Sequence, residues 1–260
     1  MSRPMARPRT RVLLRAGALL ALLVLTPACG MIPPEPHTTQ AKEVFWLYNV
    51  VLVMGAIVFV GVEGFIVYSI VRYRRRDDRL PTQVHGNNLV ELVWTAIPTV
   101  IVLILFVLST FTLNSISTRA ATPGVTIEVE GKQWAWVFHY LDSDADSTND
   151  VVVSGTAPVM AVPVGEPVRL ILSSHDVIHS FYVPAFLVKR DVIPTGDRPS
   201  NELEFTVSEA GTYAGQCAEF CGLWHARMTF SVQAMPRAEF DAWIASMQAG
   251  ATPAPSLPGN

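Results

Sequence analysis

An all-β sandwich or barrel, held outside a membrane by a two-helix hairpin, is the fold class the sequence predicts, and three observations predict it. Two apolar runs, at 44–71 and 89–111, each exceed the roughly 20 residues a bilayer span needs. Beyond residue 122 the pattern turns to the alternation of half-buried strands. Of the 260 residues, 50% are hydrophobic and only 16% charged, against roughly 25% charged in an ordinary soluble domain.

The first 28 residues read as an export signal. Arg3, Arg7, Arg9, Arg11 and Arg15 make a positive start, residues 16–25 a short apolar core, and Thr26-Pro27-Ala28 a small-residue cleavage region. Cys29 directly after it fits a lipidated bacterial lipoprotein cysteine or an incidental residue at ordinary cleavage; both readings stay open. Residues 29–43, with three prolines, read as a linker.

The first span is expected at 44–71, a loop at 72–88 and the second span at 89–113. Arg72, Arg74, Arg75, Arg76 and Arg79 put that loop on the cytoplasmic side. Everything after Asn114 is then extracytoplasmic. Glu63 falls inside the first span, where a charge facing lipid is costly, so it is expected to meet another protein helix or to be protonated. Glu91 stands near the start of the second span, a place an acid favours at a helix N-terminus. A hairpin carrying such a glutamate implies a larger membrane partner.

Charge divides along the chain. Residues 1–116 hold 11 Lys/Arg and 6 Asp/Glu, a net of +5; residues 117–260 hold 8 and 16, a net of −8. A basic, apolar first part and an acidic second part argue against nucleic acid as the partner. Three cysteines are too few for a disulfide scaffold.

The outer domain is expected over 117–235. Strand-like runs recur at 125–130, 151–153, 168–172, 203–207 and 228–232, separated by turn-rich clusters at 142–150, 154–158 and 194–201. Trp134 and Trp136 are expected on one face of a strand. A helix over 236–249 follows, with Pro236 in its first turn and Phe240, Trp243, Ile244 and Met247 along one face. Residues 250–260 read as a disordered Pro/Gly/Ser tail.

The chemistry is concentrated in Cys217-Ala218-Glu219-Phe220-Cys221-Gly222-Leu223-Trp224-His225-Ala226-Arg227-Met228. Thiolate, thioether and imidazole together suit copper. A mononuclear blue-copper site needs one cysteine; two cysteines can bridge two coppers, and a second histidine is then required. His179, set among apolar residues, and His175, flanked by Ser174 and Asp176, are the upstream candidates. A disulfide between Cys217 and Cys221 leaves His225 and Met228 unexplained, and a Cys₂His₂ zinc site has no use for Met228.

With these residues the chain resembles subunit II of the haem–copper cytochrome c oxidases. That family's ligand loop reads C-x-E-x-C-x-x-x-H-x-x-M, matched by Cys217, Glu219, Cys221, His225 and Met228. Its upstream ligand lies in D-V-x-H-S, which selects His179, and its aromatic G-x-Q-W-x-W segment is matched by residues 131–136. The resemblance spans roughly residues 40–248. It implies a cupredoxin-like Greek-key barrel holding a dinuclear CuA centre on His179, Cys217, the Glu219 carbonyl, Cys221, His225 and Met228. It also implies that the Glu219 carboxylate binds Mg²⁺ or Mn²⁺ at the subunit I interface. Trp134 becomes the residue where electrons arrive, Asp176 a docking acid, and Glu91 the cytoplasmic mouth of a proton path into subunit I.

The implied role is to take electrons from cytochrome c and pass them to haem in subunit I, for oxygen reduction coupled to proton pumping. The implied partners are subunit I, subunit III, cytochrome c and lipid, in a bacterial plasma membrane. Quinol-oxidising relatives lack the copper ligands. Thiol-based copper chaperones use an α/β fold, and no C-x-x-C-H marks a fused cytochrome. A nitric oxide reductase subunit with a similar copper domain stays open.

Overall fold

The computed structural model describes residues 33–75, 83, 85–141, 151–194 and 201–250. The expected export signal, Cys29, Arg76, Arg79 and the tail beyond 250 lie outside the described residues.

Helix α1, Thr39–Arg72, begins five residues before the apolar run because Thr38 caps it, its side chain accepting from the Ala41 N–H at 3.0 Å. Helix α2, Asn88–Ser117, is capped by Asn87, whose side chain accepts from the N–H groups of Leu89 and Val90. Both helices are long and apolar enough to cross a membrane. Their Val, Ile, Leu and Phe side chains point outward, as a lipid-solvated helix requires. Ser115 donates to Glu43 at 2.9 Å, joining the helices at one end. Glu63 is exposed near the middle of α1.

Ten strands follow among the described residues: β1 Val125–Lys132, β2 Ala135–Leu141, β3 Val151–Gly155, β4 Val159–Pro163, β5 Pro167–Ser174, β6 His179–Val183, β7 Val188–Val192, β8 Asn201–Thr206, β9 Gly211–Cys217 and β10 Thr229–Met235. They form two five-stranded sheets, ordered β3-β2-β1-β5-β8 and β4-β10-β9-β6-β7. The β1–β5 and β4–β10 pairs are parallel, and the other named pairs antiparallel. The all-β expectation resolves to a sandwich whose crossed connections give the cupredoxin-like arrangement. Between the sheets lies one core built around Trp136, Phe138, Phe181 and Phe230, with Phe181 and Phe230 stacked at 4.6 Å.

Helix α3, Arg237–Gln248, starts after Pro236, which serves as its N-cap rather than standing in the first turn. Phe240 is buried, and Trp243, Ile244 and Met247 pack on the same core. Two seams fix the hairpin to the sandwich. Thr38 bridges Val207, and Thr206 donates its N–H to the Gln40 side chain. Beyond α2, the Ala120 N–H donates to Glu204 at 2.7 Å, and Glu204 pairs with Arg169 at 2.8 Å. Each seam uses backbone that would otherwise need solvent.

One expectation is corrected. Trp134 does not share a strand face with Trp136. It lies with Gln133 in the two-residue turn between β1 and β2, where Lys132 pairs Ala135, and only Trp136 enters the core. The tight hairpin leaves no strand position for residue 134.

Candidate metal centre

Three strand ends of the second sheet converge. Strand β9 buries Tyr213, Gly215 and Cys217 in alternation, so period two sets Cys217 on the inward face at the end of the strand. Phe181 of β6 pairs across from Cys217, which brings His179, two residues earlier, beside it. The Cys217 N–H donates to the Met228 carbonyl at 2.9 Å, which fixes Met228 just before β10. The connecting loop carries Cys221, and a short 3₁₀ turn at His225–Arg227 orients His225.

The six candidate donors meet. Cys217 Sγ and Cys221 Sγ are 3.8 Å apart, and both cysteines are free. His179 Nδ1 lies 3.9 Å from Cys217 Sγ, and His225 Nδ1 3.6 Å from Cys221 Sγ. The Glu219 carbonyl is 3.3 Å from Cys217 Sγ, and Met228 Sδ 3.8 Å from Cys221 Sγ. His179, Cys217, Cys221 and Met228 are buried, while His225 is partly exposed. Two sulfurs side by side, flanked by further donors, offer more than the four ligands of a structural zinc. The soft set of two thiolates, two imidazoles and a thioether fits copper.

The surroundings set the protonation of the metal-free centre. Burial opposes ionisation of Cys217, but hydrogen bonds with His179, with the backbone at Ser180 and Glu219 and with His225 together bring the thiol down to about 6. Burial and the charge on Cys217 push Cys221 up to about 12. Burial also opposes charge on His179, yet Cys217 and Asp176 raise its pKa. Asp176 Oδ1 is 2.9 Å from His179 Nε2, so Nδ1 is left to face the sulfurs.

The other expected residues fall as follows. His175 stays exposed on the loop and does not join the set. The Glu219 carboxylate turns away from the sulfurs to pair with Lys189 at 3.0 Å, while its carbonyl faces Cys217. Trp134, partly buried, donates Nε1–H to the Cys221 carbonyl at 3.2 Å. Asp176 accepts from two backbone N–H groups, those of Gln133 and Val177, besides meeting His179. Glu91 occupies the first turn of α2. Sequence reasoning passed over the ligand loop's outer face, where Phe220 and Leu223 are 83% and 80% exposed. An apolar pair inside a polar motif was the available signal.

The chain is similar to known proteins. The model of the cytochrome c oxidase subunit II periplasmic domain matches residues 125–235, and that of its transmembrane domain matches 28–113. Cytochrome c oxidase subunit 2 of Alkalihalophilus pseudofirmus is 35% identical over 225 residues, covering 83% of this chain and 61% of the relative. The probable cytochrome c oxidase subunit 2 of Streptomyces coelicolor is 32% identical over 272 residues, covering 87% of this chain and 84% of the relative. Among solved structures, the periplasmic domain of subunit II of cytochrome oxidase of Bradyrhizobium japonicum is 30% identical. It covers 50% of this chain and 98% of that one, with a TM-score of 0.43.

Proposed function

The chain belongs to the cytochrome c oxidase subunit II family, and from that premise we propose that it is the electron-accepting subunit of a respiratory oxidase. It takes electrons from cytochrome c and delivers them to the haem-bearing subunit I, where oxygen is reduced and protons are pumped. The observation that carries this reading is the pair of free thiols 3.8 Å apart with an imidazole nitrogen beside each. His179, Cys217, the Glu219 carbonyl, Cys221, His225 and Met228 would hold two copper ions as a CuA centre. Bound there, copper supplies one-electron redox chemistry and needs no open coordination position.

The chain's own residues do the rest. Ligands held at the ends of β6 and β9 and in the loop between β9 and β10 would need little rearrangement when bound copper changed oxidation state. Trp134 links the surface to the centre through its hydrogen bond to the Cys221 carbonyl, which supports its role as the residue receiving the electron. Burial of His179, Cys217, Cys221 and Met228 keeps water from the thiolates. The Glu219 carboxylate, now on Lys189, is the oxygen ligand offered to Mg²⁺ or Mn²⁺ once subunit I is in place. Glu91 opens the proton path into subunit I. The exposed apolar sides of α1 and α2 meet subunits I and III and lipid. The hairpin lies in a bacterial plasma membrane with the copper domain outside.

Metal analysis of the full chain in detergent, with optical and electron paramagnetic resonance spectra, tests the reading. Two coppers with a mixed-valence signal are expected. One zinc per chain overturns it.

A further inference from the structure

Resting on the dicopper reading, we infer that Gln133 is a positioning residue that ties the two ligand-bearing segments together. Its backbone N–H donates to Asp176 Oδ2 at 2.6 Å, and its side-chain amide donates to the Cys221 carbonyl at 2.7 Å. These partners lie 43 and 88 residues away along the chain. Asp176 is the support of His179, and its Oδ1 also accepts from Val177 N–H at 2.6 Å and Ser174 Oγ at 3.2 Å. Gln133 therefore stands between the carboxylate that orients one imidazole and the peptide group that carries one thiolate.

The Cys221 carbonyl receives a second donor, Trp134 Nε1, at 3.2 Å. Two donors on one carbonyl hold that peptide unit in place, and with it the backbone from which Cys221 Sγ projects. The loop is shaped to let the turn in. Gly222 has φ +116°, and a Cβ there would lie 3.1 Å from Gln133 Nε2 and 3.3 Å from Trp134 Cζ2. Gln133 itself is exposed, so its hydrogen bonds, not its packing, are its contribution. Partners outside the ligand set that orient ligands hold metal affinity through geometry.

Gln133→Met keeps length and removes the donor, while the backbone bond to Asp176 survives. Gln133→Glu sets a carboxylate against the Cys221 carbonyl. The test loads the full chain in detergent with copper and competes it against bathocuproine disulfonate under reducing conditions. Both variants should still take up two coppers, with affinity down about 10–100-fold, altered copper hyperfine structure and an unchanged melting temperature of the metal-free protein. Affinity within twofold of wild type together with an unaltered spectrum overturns the inference. A lowered metal-free melting temperature with an unaltered spectrum also overturns it, because Gln133 then serves folding alone. A wild-type chain that takes up no copper pair overturns the dicopper reading and this inference with it.

Discussion

Gly215→Ala loads one methyl group into the most crowded part of the sandwich. Gly215 of β9 faces Phe230 of β10 in the antiparallel register. A Cβ at 215 would overlap the Phe230 ring, with even its Cδ2 only 2.6 Å away. The ring is 2% exposed and hemmed in by Phe181 at 4.6 Å, Trp136 at 5.3 Å and Phe138 at 5.9 Å. It has no free direction, so either the aromatic cluster shifts or β9 separates from β10. Overpacking of this kind costs about 1–3 kcal/mol, and a rigid aromatic neighbour sets the upper end. About 3 kcal/mol corresponds to a fall of about 10–20 °C in melting temperature for a domain the size of the sandwich. Near-ultraviolet circular dichroism of the metal-free full chain measures it. Gly215 also precedes Cys217 by two positions on the same inward face, so copper uptake should fall with stability. Phe230→Leu should relieve part of the clash, giving a double-mutant coupling of about 1–3 kcal/mol. A melting temperature within about 2 °C of wild type, or strictly additive effects, would refute the packing argument.

Trp134→Phe should slow oxidation of cytochrome c while the copper spectrum stays near wild type, because Gln133 still donates to the Cys221 carbonyl at 2.7 Å; stopped-flow kinetics beside the spectrum separates the two. Copper uptake by the metal-free chain should weaken as pH falls from 9 to 7, by about tenfold per pH unit for each displaced proton. The sign follows from Cys221, held protonated at about 12, whose proton the metal must expel; competition titrations that show no pH dependence would contradict it. Glu219→Gln should retain two coppers, since the carbonyl survives, yet lose the ion pair with Lys189 and weaken Mn²⁺ binding in the assembled enzyme; an unchanged Mn²⁺ resonance counts against it. If a basic soluble cytochrome c is the donor, its oxidation should slow with rising salt. The net of −8 already counts the basic partners of Glu130, Glu166, Glu202, Glu204 and Glu219, so these ion pairs leave it unchanged.

Strands were legible where β-branched and apolar residues mark them in the sequence and hidden where the residues themselves mask the pattern. Strand β1, with Ile127 and Val129 inward, shows its period in the residues themselves. Strand β2 buries Trp136, Val137 and Phe138 in succession, so its period is erased. Strand β7, Val-Lys-Arg-Asp-Val, is an edge strand, where charge is suited to the sheet's open side but masks a strand pattern. Strand β9 is rich in Gly and carries little strand propensity; its place depends on Phe230 filling the space Gly215 leaves.

The sequence by itself determined the two spans and the donor spacing of the loop from Cys217 to Met228. Each of these is local: hydrophobicity along a run, or donors a few residues apart. The residues alone left His175 and His179 both open and the resemblance selected His179; tertiary structure supplies the physical reason that His179 enters the cluster while His175 stays in solvent. That outcome depends on β6 pairing with β9 across 38 residues between His179 and Cys217. It also decided that Asp176 supports His179 and that Gln133 reaches the Cys221 carbonyl. Hydrogen bonds between distant segments leave no periodic trace in a sequence, because the chain's path through two sheets, not its spacing, brings the groups together.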